Sequence, residues 1–176
     1  LYYACGKDFL YYVATGVKLW GKRDIYQRQN ISEVEVQGLE SDVDYMPFQS
    51  LKINLNYSYN HAKIKNFSKN PELNDKILTY APKHQLKGYI LWTGKSMSVM
   101  VRGLYKTKQY TTEDNSSSIA GFSVWDMQLS KRFFQNKLYI SGEIINLFNN
   151  RHMNTKEYRS AGRIANLKLA VNINQD

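Results

Sequence analysis

A hydrophobic period of two constrains this chain more than any other feature. In "LKINLNYSYNHAK" (residues 51–63), Leu51, Ile53, Leu55, Tyr57 and Tyr59 share one face, and Lys52, Asn54, Asn56, Ser58 and Asn60 share the other. Side chains alternate between the two faces of a strand, whereas on a helix these apolar residues would scatter around the axis. The pattern returns in "HQLKGYILW", "SMSVMVRGLY", "FSVWDMQLSKRFF", "KLYISGEII" and "GRIANLKLAVNI". In the last of these, Leu167, Leu169, Val171 and Ile173 oppose Asn166, Lys168, Ala170 and Asn172. "ISEVEVQGLESDVDYM" is less regular: Val34 and Val36 have one parity, and Val43 and Tyr45 the other. A glycine at the switch, Gly38, predicts a β-bulge there. With a further strand over about residues 8–19, the reading is all-β with about eight strands.

The connections alternate in length. Short turns are expected at 47–50, 93–96 and 134–137, and long polar loops at about 20–30, 65–82, 108–120 and 147–162. An up-and-down meander puts the short turns at one end and the long loops at the other. Within one loop, "TTEDNSSS" places Glu113 beside Asp114 and reads as a solvated, mobile segment.

Composition narrows the class. Among 176 residues there are 14 Tyr, 7 Phe and 3 Trp against 3 Pro, a balance that favours strands. Mean hydropathy is −0.54, and no apolar run reaches the roughly 18–20 residues of a membrane helix. Leu1 opens "LYYACGKDF" without a basic n-region, an apolar h-region or an initiator Met, which predicts a processed chain or a fragment. Cys5 is the single cysteine, so neither an intrachain disulfide nor a cysteine metal cluster is expected. The net charge of +9 is spread along the chain rather than gathered into a stripe, and no nucleic-acid motif accompanies it, so nucleic acid is not an expected partner.

Strands of about ten residues, apolar on one face and polar on the other, with alternating short turns and long loops, are the pattern of an outer-membrane barrel. Aromatics fall at strand ends, with Tyr45, Phe48, Trp92, Phe133 and Phe134 near the short turns and Tyr57, Tyr59, Tyr105 and Trp125 toward the long loops. These would be the two interfacial girdles. A soluble sandwich alternates equally well, but a soluble barrel fills its interior with apolar side chains. Here the second face carries Lys, Asn, Gln, Ser, Arg and Glu.

Four marks, in order, resemble the C-terminal part of a TonB-dependent outer-membrane receptor. They are Gly38-Leu39-Glu40, Pro82 with His84, Asn146-Leu147-Phe148-Asn149, and Gly162-Arg163. The resemblance covers about residues 8–173. It implies an antiparallel up-and-down transmembrane β-barrel segment over residues 1–176, the last part of a plugged barrel of about 22 strands. The plug domain and the TonB-contacting box are not in this chain, and the ending "VNINQD" departs from the aromatic terminus usual in the family. The implied function is binding of a scarce nutrient (ferric siderophore, haem or cobalamin) at external loops and import with energy relayed by TonB. The implied partners are outer-membrane lipid, the plug and remaining strands, the TonB complex and the nutrient, with a surface lipoprotein as an optional one.

Candidate residues follow from that resemblance. Tyr110, Arg151, His152 and Arg159 are the ligand candidates in external loops, since Tyr offers a flat face with a polar tip and Arg a charge for anions. Lys52, Asn54, Arg102, Asp126 and Glu143 face the plug. Asn146, Phe148 and Asn149 are read as architectural, because Asn tolerates unusual backbone angles where a strand must end. His61, His84 and His152 lack metal-ligand spacing, no nucleophile elbow is present, and neither cofactor, metal nor enzymatic activity is expected. Two other readings stay open: a self-standing eight-stranded barrel with a structural or adhesive role, and a soluble β-domain binding an anionic partner.

Overall fold

A computed structural model describes residues 1–172. Ile173, placed above on the apolar face of the last strand, lies outside them. The chain runs β1 (Tyr2–Leu19), β2 (Arg23–Phe48), β3 (Leu51–Asn66), β4 (His84–Thr93), β5 (Met97–Lys106), β6 (Gln109–Tyr110), β7 (Ser118–Ile119), β8 (Phe122–Phe133), β9 (Leu138–Ile145), β10 (Met153–Thr155), β11 (Tyr158–Arg159) and β12 (Ile164–Val171). Eight of these form one sheet in the order β1-β2-β3-β4-β5-β8-β9-β12. Within it β1–β2, β4–β5, β5–β8, β8–β9 and β9–β12 pair antiparallel. β6–β7 and β10–β11 are small hairpins inside two of the long loops. Among the described residues no helix is long and apolar enough to cross a membrane.

Three expectations need correction. Residues 20–30 are not a long loop. β1 and β2 close at residues 20–22, where the Lys22 N–H donates to Leu19 O at 3.1 Å. Trp20 (φ 49°) and Gly21 (φ 68°), the two central residues of that turn, are both left-handed, as the tight turn of a short hairpin loop requires. The polarity of "RDIYQRQN" reflects solvent on an exposed ribbon rather than coil; Leu10 pairs with Asn30 and Lys18 with Asp24.

Nor is there a bulge between β1 and β2 at Gly38. The register runs unbroken from Tyr2–Gly38 to Gly6–Val34, and its shift falls between Ala14 and Lys18. Gly38 serves a close approach instead. The Tyr2 ring lies over it, and an added Cβ would sit 2.6 Å from Tyr59 O.

The parity switch has another cause. The chain divides into two compact units, with one boundary at Leu39/Glu40 and the next at Ser58/Tyr59. In the unit formed by residues 1–39, 59–83 and 108–120, even-numbered residues of β2 and β3 (Val34, Val36, Ile64) join Val13, Phe67, Leu73 and Leu78 in an apolar core. Phe67 and Ile64 are fully buried, each stabilising the unit by roughly 1.5–3 kcal/mol. In the other unit the even positions Glu40, Asp42 and Asp44 of β2 and Lys52, Asn54, Asn56 and Ser58 of β3 are polar. Apolar residues therefore change parity where their surroundings change.

The third correction concerns "TTEDNSSS", which is not simply solvated. Thr111 N–H bonds Ser117 O at 2.9 Å. Asn115 Oδ1 accepts from the Ile77 N–H at 2.8 Å, while Asn115 Nδ2 donates to Ile77 O at 2.9 Å. Gln109, Thr111 and Ile119 are buried.

In the second unit the strand register sorts two faces. Ile90, Val101, Met127, Ile144 and Ala165 form one row across β4, β5, β8, β9 and β12. The adjacent row carries Tyr89, Arg102 and Asp126. On the first face large apolar side chains stand exposed, among them Leu55, Ile90, Leu129, Leu167 and Leu169.

Candidate functional site

The polar face of the second unit carries two side-chain networks. Arg102 Nη2 lies 2.6 Å from Glu143 Oε1 and 3.5 Å from Asp126 Oδ2. Asn166 Nδ2 reaches Glu143 Oε2 at 3.4 Å. Asn54 Nδ2 donates to Asp42 at 2.9 Å and to Asp44 at 3.1 Å. Lys52 Nζ is 3.3 Å from Asp44 and 5.9 Å from the Tyr89 ring centroid. All five residues proposed for the polar face thus lie within ion pairs or hydrogen bonds of that face. Sequence reasoning missed Asp42 and Asp44, although with Glu40 they share the parity of Lys52. It also missed a hydroxyl cluster nearer the short turns, where Ser130 and Ser141, both buried, are 3.1 Å apart and Tyr139 donates to Ser130 at 3.0 Å.

The last long loop is tied together by the asparagines of "NLFN". Asn146 (φ 57°) and Asn149 (φ 55°) are left-handed, a region Asn enters more readily than most residues. Asn146 is buried. Its Nδ2 donates to Asn150 O at 2.9 Å and to Ala161 O at 3.2 Å, and its Oδ1 accepts from Asn150 N–H at 2.8 Å. Asn149 Oδ1 accepts from Arg163 N–H at 2.9 Å and would stand 2.7 Å from a Cβ on Gly162. The close approach explains the glycine, and two motifs far apart in sequence hold each other. Phe148 is exposed. At the other side of the sheet, the Pro82-x-His84 motif opens β4, with His84 Nδ1 2.8 Å from Tyr57 Oη.

The ligand candidates divide. Arg151, His152 and Arg159 share the loop at 146–163, and Arg159 pairs with Met153 across β10–β11. His152 stacks on Phe122 with centroids 3.7 Å apart, and its Nδ1 is 3.1 Å from Ser160 Oγ. Tyr110 belongs to the other unit, where Lys108 Nζ sits 5.0 Å above its ring. That unit also holds a cleft of about 330 Å³ bordered by Asp24, Tyr26, Glu72, Glu113 and Asp114. Burial, with the like charges of Asp114 and Asp24, pushes the Glu113 carboxyl up. The Ser116 N–H, then the Thr112 and Ser116 hydroxyls, hold Asp114 below the usual aspartate range. Among the described residues no cluster of His, Cys, Asp and Glu is arranged to hold a metal ion.

The structure resembles known receptors. A copper transporter, OprC, matches with TM-score 0.73 and 15% identity over 95% of this chain and 27% of its own. BauA, the ferric preacinetobactin receptor from Acinetobacter baumannii, matches with TM-score 0.68 and 16% identity over 91% and 25%. The ferric citrate transporter FecA matches with TM-score 0.69 and 16% identity over 79% and 24%. The chain spans about a quarter of the length of each. No curated protein sequence matches. The family model "TonB dependent receptor-like, beta-barrel" matches residues 1–147, a span that includes Gly38-Leu39-Glu40, Pro82 and His84 and stops within Asn146-Leu147-Phe148-Asn149. With that match over most of its length, the chain belongs to the TonB-dependent receptor-like β-barrel family.

Proposed function

We propose that residues 1–176 are the C-terminal part of the barrel wall of an outer-membrane nutrient receptor. The single observation that carries this reading is the opposition of two faces in one antiparallel meander. One exposes large apolar side chains such as Leu129 and Leu167, and the other holds the Arg102–Asp126–Glu143 and Lys52–Asp44–Asn54 networks. Lipid supplies no hydrogen bonds, so a wall with an apolar outside and a hydrogen-bonded inside suits a membrane-spanning barrel.

In this reading Lys52, Asn54, Arg102, Asp126 and Glu143 hold the plug domain supplied by another part of the same protein. Arg151, His152 and Arg159 on one external loop, and Tyr110 on another, meet the nutrient. The nutrient is a metal complex such as a ferric siderophore, haem or cobalamin. Of the similar proteins, BauA is a receptor for ferric preacinetobactin and OprC a copper transporter. Import is powered through TonB, and the chain moves its ligand without chemically converting it.

The test is the intact mass of the native polypeptide from detergent-solubilised outer membranes, followed by uptake of labelled ferric siderophore, haem and cobalamin by energised cells. A mass roughly four times 20.6 kDa, as expected from coverage near a quarter of similar receptors, together with uptake abolished by a protonophore, supports the reading. A mass near 20.6 kDa refutes it.

A further inference from the structure

The carboxylate of Asp126 has two unlike partners. Its Oδ2 faces Arg102 at 3.5 Å on the polar wall, and its Oδ1 accepts the backbone N–H of Asn146 at 2.9 Å. Asn146 is the first residue after β9 and the hub of the last long loop, holding Asn150 and Ala161 through its side chain. Asn150 in turn donates to Ser123 O at 2.9 Å, and Leu147 N–H donates to Trp125 O at 2.6 Å. One residue therefore joins the interior ion pairs to the loop that carries Arg151, His152 and Arg159.

The geometry points to Asp126 as a positioning residue that sets this loop according to what Arg102 binds. Resting on the reading that the polar face lines the barrel interior, this inference adds how an occupant of the interior is felt outside. Arg102 is the shared cation of Asp126 and Glu143, and its side chain is 43% exposed. A carboxylate presented from the interior competes with Asp126 for the guanidinium. The Asp126 carboxylate then gains freedom to rotate, and its hydrogen bond to Asn146, which closes the base of the loop, loosens. A charged acceptor holds an N–H more tightly than a neutral one, so the anchor depends on the charge around it.

The experiment uses the full-length receptor, purified in detergent, and follows hydrogen exchange of the amides in residues 150–162. Each variant is first checked for the heat-resistant compact band of a folded barrel. Asp126→Ala removes the anchor, and exchange there is expected to rise about tenfold, the size of one lost charge-assisted hydrogen bond. Asp126→Asn keeps an acceptor for Asn146 N–H but removes the charge that answers Arg102, so exchange rises less. Arg102→Ala is expected to speed exchange several-fold in the native background and to have no further effect in Asp126→Asn. That loss of effect separates a relay from general damage, and it needs no variant that deletes the anchor. Arg102→Ala without effect on the loop, or with equal effect in both backgrounds, overturns the proposal. Exchange is read without ligand or transport, so a receptor that imports none of the tested nutrients but shows the coupling refutes the nutrient and leaves the relay standing.

Discussion

Two adjacent carboxylates in the β6–β7 loop behave oppositely because their surroundings differ. Asp114 is exposed and accepts the Ser116 N–H at 3.0 Å, which favours its charged form. Glu113 is partly buried and shares its cleft with Asp114 and Asp24, which favours its neutral form. Their links to stability have opposite signs. The contribution of Asp114 is full above the aspartate value of the unfolded chain and is lost as pH falls through its lower folded value. Glu113 favours the folded loop while protonated and opposes it as pH rises from the ordinary glutamate value through its raised folded value. Amide protection in residues 108–120, corrected for intrinsic exchange, is therefore expected to increase as pH drops from neutral toward the glutamate range. It falls again only below the ordinary aspartate range. Glu113→Gln should erase the first change and Asp114→Asn the second; protection that is flat across both ranges would contradict this account. The Glu113 half was not legible in "TTEDNSSS", because its burial and the neighbourhood of Asp24 depend on segments distant in sequence, whereas the Ser116 and Thr112 partners of Asp114 lie within the stretch itself.

At the scale of elements, most of the strands could be read from period two, and the exceptions have physical causes. β4, β5, β8, β9 and β12 have one polar and one apolar face, so their faces and short turns were visible in the residues. β2 and β3 pass through both compact units, and the period-two rule assumes a single environment per face. The bulge expected at Gly38 came from that assumption. Only the start of β2 was hidden, because "RDIYQRQN" carries polar residues on both faces. Glycines separate close approach from mere absence of a side chain. Gly88 pairs with Gly103, and a Cβ on Gly88 would lie 2.6 Å from the main-chain oxygen of Asn54, which cannot swing aside. Around Gly142 nothing lies within 4 Å. Gly88→Ala is expected to destabilise the folded receptor by about 1–3 kcal/mol through overpacking. Gly142→Ala should be neutral, or stabilise by about 0.4–1 kcal/mol by restricting the unfolded chain. Urea unfolding of the two variants in lipid vesicles decides this, and equal effects would show that the pinch at Asn54 carries no weight.

The whole sheet has two ends, β1 and β12, which do not pair with each other among the described residues. β1 pairs with β2 only over Arg23–Gly38, so Leu39–Phe48 of β2 has no β1 partner. An unpaired backbone edge in hydrocarbon costs several kcal/mol for each exposed N–H or C=O. A membrane therefore does not accept this sheet unless both edges are paired. The receptor reading supplies the partner strands from elsewhere in the same protein, whereas a self-standing eight-stranded barrel must pair its edges by closing β1 on β12. These readings separate when the 176-residue chain alone is refolded into phospholipid vesicles and compared with the full receptor by unboiled gel electrophoresis. The full receptor is expected to give a compact band that shifts on boiling. The isolated chain is expected to give none and to aggregate through its edges, as exposed strand edges do. A compact, heat-shifting band from the isolated chain would mean that its edges meet, and the plugged-receptor account of this wall would give way to the small closed barrel.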